Sequence, residues 1–412
     1  MRATSVLRTL LALHKTRVVD LELGDDALLV HVAPTWQVPR CSGCGRKRQC
    51  VHDSRVRSWR HIDLAGIKTV LRYRLRRVSC KKCGVLVEKV PWAESASRYT
   101  LPMEGLVAYH AQKTDKTTVS TLMRIAWRTV GEIVGRFVRR EREEMGDPLE
   151  HLRHIGVDEI SYRKHHQYIT TVVDHERGIV VWAAKGRSAE TLKSFFKAIG
   201  PERAAKIEAV TIDMSSAYIK AVKDSVRNAT LIFDRFHVQR LVHDALDEVR
   251  RDEVRSAGSD EKTCLKKIRW PLQKRPWNLS GLETAKLADL EENNRPIYRA
   301  YLLKESLAAI LDGRQAGVAA RKLDEWLEWA RASELPAFVR VAGTIEKHRE
   351  GILAYVRTRL NNGRVEGLNG KARVITRRAF GFHSASSFIA MLFLCCGGIE
   401  THPCHVAPHW TH

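Results

Sequence analysis

Three carboxylates sit in settings that disfavour charge. Asp158 interrupts the apolar run Ile155-Gly156-Val157-Asp158-Glu159-Ile160, and Asp213 ends Ala209-Val210-Thr211-Ile212. Glu366 lies in Asn362-Gly363-Arg364-Val365-Glu366-Gly367-Leu368-Asn369-Gly370-Lys371. Removing an ionised acid from water is strongly unfavourable unless something pairs it. A divalent cation is such a partner, and oxygen ligands suit Mg²⁺ or Mn²⁺. Two ions about 3.5–4 Å apart clamp the attacking and leaving oxygens of an in-line phosphoryl displacement. Strand alternation puts Ile155 and Val157 on one face and Gly156 and Asp158 on the other. It turns Glu159 away from Asp158, so Asp158 is the expected ligand.

A second chemistry belongs to sulfur. Of nine cysteines, four form the pairs Cys41-Ser42-Gly43-Cys44 and Cys80-Lys81-Lys82-Cys83, with 35 residues between them. Two such knuckles supply four thiolates to one tetrahedral, structural Zn²⁺. An odd cysteine count with paired knuckles argues for metal binding in a reducing compartment rather than a disulfide framework. Cys50 and His52 are rival ligands, with Cys50 read as a small buried residue. Cys395 and Cys396 are read as buried, and His402-Pro403-Cys404-His405 as incidental.

The elements that must position these groups follow from periodicity. Residues 1–16 read as a short helix, and Arg17–Leu23 and Ala27–Ala33 as a hairpin about Gly24-Asp25-Asp26. Residues 103–113, 116–125 and 128–143 read as three short helices with a basic third, which suits a helix-turn-helix. Strands are expected at 155–161, 167–174, 179–184, 208–213 and 230–233, with helices at 189–199 and 216–226. This is the ribonuclease-H-like order, which makes the first and fourth strands neighbours and brings Asp158 beside Asp213. Residues 239–355 read as a helical insertion. Val356–Val374 reads as one helix carrying Arg359, Asn362, Glu366, Asn369 and Arg373 on one face. The expected fold is therefore multidomain α+β. Residues 1–100 form a β-rich zinc-binding domain, and 101–147 a helix-turn-helix. Residues 148–238 and 356–412 form a ribonuclease-H-like catalytic domain split by the insertion at 239–355.

Charge points to the partner. Lys and Arg number 70 against 47 Asp and Glu, a net +23, and 44% of residues are hydrophobic. That describes a folded protein with a polyanion partner, nucleic acid in the first place. The excess is local: residues 41–89 hold 14 basic and 3 acidic side chains, and residues 357–378 hold 7 and 1. Arg72, Arg74 and Arg76 alternate with Leu71, Tyr73 and Leu75 as a phosphate-facing row, with Arg55, Arg57 and Arg60 nearby. Arg124, Trp127, Arg128 and Arg136 are candidate contacts of the helix-turn-helix. Arg359, Asn362, Arg364, Lys371 and Arg373 are candidates around Glu366. Trp270 and Trp277, beside prolines and lysines, are candidate stacking platforms in the insertion. No apolar run approaches the roughly 18 residues of a membrane span, so a cytoplasmic, nucleoid-associated protein is expected.

These motifs together resemble the transposases of the ISL-three insertion-sequence family. The two cysteine pairs resemble its amino-terminal zinc-binding domain. Asp115-Lys116-Thr117-Thr118-Val119 through Trp127-Arg128-Thr129-Val130 resembles its helix-turn-helix. The Asn362–Lys371 stretch, followed by Arg377-Arg378-Ala379-Phe380-Gly381-Phe382, resembles its carboxy-terminal catalytic signature. The resemblance implies an Asp-Asp-Glu enzyme that binds the terminal inverted repeats of its own element as a homodimer. It would cut and join double-stranded DNA with two Mg²⁺ ions per site. Asp234-x-x-His237 resembles a motif that lies near the active site of related superfamilies in a supporting role. Two rival readings remain. One is a zinc-containing DNA-binding regulator without catalysis. The other is a ribonuclease-H-type nuclease that cuts without joining.

Overall fold

The computed structural model describes residues 7, 9–11, 13–163, 167–293 and 295–403. Half of the helix expected at 1–16, together with Cys404 and His405, lies outside them. The chain divides into two compact units. One comprises the residues up to Gly146 with those from Phe393 onward, and the other is Asp147–Leu392.

The first unit is built on a sheet of β1 (Thr16–Leu23), β2 (Ala27–Pro34), β3 (Val51–Arg60), β4 (Lys68–Cys80) and β5 (Gly84–Val87). Its order is β1-β2-β4-β3, with β5 on β4. β1 and β2 form the expected antiparallel hairpin. The alternation of β4 buries Leu71 and Leu75 with Val30, Val32, Trp59 and Trp92. Trp92 packs edge-on against both Trp59 and Tyr73 at 5.5 Å. Helices α1 (Leu101–Lys113), α2 (Lys116–Met123) and α3 (Trp127–Glu144) follow. Asp115 caps α2, accepting from the amides of Thr117 and Thr118 at 2.9 Å each, and so satisfies donors that the helix itself leaves open.

The second unit opens with β6 (His154–Arg163), β7 (Gln167–Asp174) and β8 (Ile179–Lys185), then α4 (Ala189–Ile199) and α5 (Pro201–Ala204). β9 (Ala209–Ile212), α6 (Ser216–Ser225) and β10 (Thr230–Phe233) complete a sheet of order β10-β9-β6-β7-β8. β6 and β7 are antiparallel, whereas β6 and β9 are parallel. This is the ribonuclease-H-like arrangement that the element order predicts. The side of β6 carrying Ile155 and Val157 is buried in a core that includes Phe195, Phe196, Tyr218 and Val222.

A run of helices leaves β10: α7 (Arg235–Ser256), α8 (Ser259–Lys267), α9 (Arg269–Gln273), α10 (Gly281–Glu292), α11 (Pro296–Asp312), α12 (Ala316–Ala332), α13 (Pro336–Lys347) and α14 (Arg349–Thr358). Trp326 and Phe338 are buried in its core. α14 returns to the sheet so closely that a Cβ on Gly351 would lie 2.4 Å from the Phe233 ring. The single helix expected at 356–374 is two. Arg359 adopts a left-handed conformation (φ 59°) that ends α14, and α15 (Gly363–Arg378) starts after Asn362. Arg359 therefore shares no helical face with Glu366. α16 (Ala385–Cys396) follows. Among the described residues, no helix is long and apolar enough to cross a membrane.

Candidate active site and metal centres

The first candidate centre forms where β4 turns into β5. The sulfurs of Cys41, Cys44, Cys80 and Cys83 all lie within 4.8 Å of one another, and those of Cys44 and Cys80 are 3.7 Å apart. Zn–S bonds of 2.3 Å in a regular tetrahedron put sulfurs about 3.8 Å apart, so the four thiols fit Zn²⁺. Arg48 donates to Cys80 Sγ at 3.0 Å and draws that thiol down to about 6. Burial, then hydrogen bonds from its neighbours, push the Cys83 thiol up to about 12. Several thiolates at this spacing need a cation between them. Cys50 is exposed, not buried as expected, and stands outside the cluster. Of the other pair, Cys396 is buried and Cys395 only half-buried.

The second candidate centre lies on the opposite face of β6 from the Phe195 core. β6 and β9 pair Gly156 with Thr211, and continuing that register by two residues sets Asp158 beside Asp213. Asp158 is held by the Glu159 amide at 2.7 Å and by Asn369 Nδ2 at 2.6 Å. Burial above all, then repulsion from Asp213 and Asp234, raises its pKa above the usual aspartate range. The Glu159 amide and His237 act the other way. Glu366 stands on the exposed side of α15, one turn before Asn369. Its pKa is raised first by partial desolvation and then by Asp234 and Asp158. Asp213 accepts from the Ser215 amide at 3.0 Å. Asp234 is 3% exposed, and one of its oxygens has no protein hydrogen-bond partner. The acids thus bear on one another electrostatically, although they are spread more widely than the cysteines, which form the one ligand cluster within 4.8 Å among the described residues. A divalent cation would offset this uncompensated negative charge, so the donor set fits the expected metal. Glu159 shares the α6 face with Thr170, its partner in register. Its pKa is raised by burial and then by Asp213, and Tyr218 is its hydrogen-bond partner.

A buried polar chain sets α15 on the sheet. The Nε2–H of His175 faces Thr211 Oγ1 at 2.7 Å, and the Thr211 hydroxyl donates to Asn362 Oδ1. The Asn362 amide donates to Asp234 Oδ1 at 3.1 Å. Burial brings the His175 imidazole down to about 4, so it is neutral, and because the one Thr211 proton goes to Asn362, the His175 Nε2 is the donor. Gly156 leaves room for this contact: a Cβ there would lie 2.5 Å from Val365 and 2.8 Å from His175. His175, Thr211 and Asn369 are the residues that sequence reasoning missed as site members. The polar stripe of α15 held the signal for Asn369, whereas a turn histidine and a strand threonine carried none.

The expected DNA contacts separate into exposed and internally bonded groups. Arg55 and Arg74 are exposed, and Arg72 is half-buried. Register puts Arg55 and Arg57 opposite Leu75 and Tyr73, on the core side of the sheet rather than with the row of Arg72 and Arg74. Arg57 donates to the carbonyls of Ser95 and Ser97 at 2.8 Å, and Arg60 pairs with Asp63. Arg76 pairs at 2.7 Å with Glu88, whose side chain is fully buried. Arg136 pairs likewise at 2.7 Å with buried Glu104. Asn362, at 1% exposure, lies below the surface. Arg124 bonds Asp63 and the Gly66 carbonyl, Arg359 the Leu311 carbonyl, and Arg364 the carbonyls of His175 and Glu176. Trp127 is 44% exposed beneath the Lys116 ammonium, and Arg128, Lys371 and Arg373 are exposed. Trp270 and Trp277 are 67% and 73% exposed.

Known proteins match over the same segments. A family model described as a transposase matches residues 155–392. One described as the zinc-finger of transposase IS204/IS1001/IS1096/IS1165 matches 37–83, and one described as the helix-turn-helix domain of transposase family ISL3 matches 88–138. The transposase for insertion sequence element IS1557 of Mycobacterium tuberculosis is 37% identical over 97% of this chain and 96% of its own length. The transposase for insertion sequence element IS1001 of Bordetella parapertussis is 30% identical over 88% of this chain and 89% of its own.

Proposed function

The chain belongs to the ISL3 family of insertion-sequence transposases, and from that premise we propose that Asp158, Asp213 and Glu366 are its catalytic acids. It is a DNA transposase, with a zinc ribbon and a helix-turn-helix that bind DNA. The observation that carries the catalytic reading is geometric: the β6–β9 register sets Asp158 beside Asp213, and Asn369, one turn after Glu366 on α15, bonds Asp158 at 2.6 Å. Asp158, Asp213 and Glu366 would together hold two Mg²⁺ or Mn²⁺ ions. Bound there, the ions supply charge stabilisation to an in-line displacement at phosphorus. Asn369 orients Asp158 through its 2.6 Å bond. His175, Thr211 and Asn362 fix the start of α15, and so the height of Glu366 above the strand. Asp234 and His237 support the acids, Asp234 by anchoring the Asn362 amide. Water attacks the phosphorus at the element end and breaks its P–O3′ bond, leaving a 5′-phosphate and a free 3′-hydroxyl. That hydroxyl then attacks a target phosphorus, forming a new P–O3′ bond as the target's own 3′-oxygen leaves as a hydroxyl. Neither step needs a protein nucleophile.

Arg72, Arg74, Arg128, Lys371 and Arg373 are the proposed phosphate contacts, and the partner is duplex DNA bearing the element's terminal repeats and the target. Two copies on a pair of ends, associated with the nucleoid, complete the proposal. The test is incubation of the purified protein with Mg²⁺, a duplex of the DNA bordering its gene and a supercoiled target. Release of 3′-hydroxyl ends followed by their joining to the target supports the reading. Binding without cutting would indicate a regulator, and cutting without joining a nuclease.

A further inference from the structure

α15 ends in a Schellman motif. The Phe380 amide donates to the Arg377 carbonyl at 3.1 Å and the Gly381 amide to the Thr376 carbonyl at 3.0 Å. In this motif the residue after the cap is left-handed and is usually glycine, because a Cβ is disfavoured there. Here that residue is Phe380, with φ 52°. The apolar contact that often accompanies the motif needs a side chain at the next position, and Gly381 has none. The ring is 98% exposed. Its near neighbour behaves differently: Phe382 packs edge-on against Phe388 at 5.1 Å, and Phe388 stacks on Tyr162 at 5.9 Å. The loop is therefore anchored by Phe382 while Phe380 is held out in water in a conformation its side chain disfavours. Neither local conformation nor packing in the free protein accounts for a phenylalanine there.

The surroundings select the occupant. Exposed Lys371, Arg373 and Arg377 lie along the same helix, and Arg378 precedes the cap. A cationic helix end with one projecting apolar ring suits a polyanion with stacked apolar planes. Phe380 is fourteen positions after Glu366, about 21 Å along a helix rising 1.5 Å per residue. At about 3.4 Å per base pair, a duplex running along α15 meets the ring about six base pairs from the phosphate at the acids.

We propose that Phe380 is a DNA wedge, a ring that enters a base step about six pairs from the cut and unstacks it. The inference rests on the catalytic reading above for the position of the cut. The left-handed backbone sets the direction in which the Cα–Cβ bond leaves the helix end.

The test uses the full chain and duplexes of the DNA bordering its gene, each with one 2-aminopurine at a successive position. Wild-type protein should brighten the probe at one step, about six pairs from the cleaved phosphate. Phe380→Gly should abolish that signal and weaken binding on the order of 5- to 100-fold. It should also raise the Tm of the free protein by about 2–5 °C, because glycine suits the left-handed site. Phe380→Leu, which keeps an apolar wedge, should retain the signal. A fall in Tm for Phe380→Gly would show a structural ring and overturn the proposal. So would a signal that survives the substitution, or loss of self-association by the free protein as its main effect. Wild-type protein that binds and cuts without any bright step overturns the wedge alone. Protein that binds but does not cut overturns the catalytic reading.

Discussion

Asp158 shows how one residue announces chemistry. An acid within an apolar strand was legible because burial and charge conflict, and the structure keeps that conflict: Asp158 is raised chiefly by burial. An acid whose folded pKa lies above its unfolded value destabilises the fold as pH rises from the ordinary aspartate range through the folded value. Above that window the penalty is complete. Asp158→Asn should therefore raise the Tm of metal-free protein at pH 7, and the gain should vanish at pH values below the ordinary range. Thermal melts across pH in the presence of a chelator check this; a lower Tm for the variant at pH 7 would contradict it. The arginines show what was not legible. Arg74 and Arg76 alternate identically in the sequence, yet Arg76 is paired with a buried glutamate twelve residues away. Only the β4–β5 turn creates that pair. Arg74→Ala should weaken binding to all duplexes alike and lower the salt slope by about one unit. Arg76→Ala should instead destabilise the sheet by roughly 3–5 kcal/mol, as expected when a buried acid loses its partner. Salt-titrated binding and urea unfolding separate the two.

At the scale of elements, the strands and the helix-turn-helix were readable because period and capping agree, as at Asp115. The break between α14 and α15 was not. Arg359 takes a left-handed turn that Arg does not advertise, and Asn362 is drawn into the chain from His175 to Asp234. That chain makes the junction acid-sensitive. Burial holds the His175 imidazole at about 4 rather than 6.5, so the unfolded chain takes up the proton first as pH falls. The resulting loss of stability should begin below pH 6.5 and approach about 3 kcal/mol near pH 4. His175→Gln should flatten that part of the profile in urea unfolding at pH 7 and pH 5. An unchanged slope would show that His175 does not govern it. The cysteine knuckles tie two turns to one ion, so chelation or Cys80→Ser should release one zinc per chain and loosen residues 41–90. Metal analysis with amide exchange reads this, and a metal-free protein that exchanges normally would refute it.

For the whole molecule, the order of segments is the strongest sequence signal: knuckles, three helices, then acids separated by 54 and 152 residues. No local pattern joins acids so far apart. Parallel pairing of β6 with β9 sets Asp158 beside Asp213, and α15, after more than a hundred helical residues, returns to β6 through the bond from Asn369 to Asp158. Glu366→Gln keeps the shape and polarity of that side chain while removing the charge that a hard cation needs. The decisive measurement is Mg²⁺-dependent cleavage and joining of a duplex bordering the gene, by wild-type and Glu366→Gln protein shown to bind it equally. The variant should bind as tightly as wild type or slightly tighter, and yield neither cut nor joined product above the metal-free background. A variant that binds and still cuts would contradict the assignment of Glu366, and with it the proposed catalytic centre.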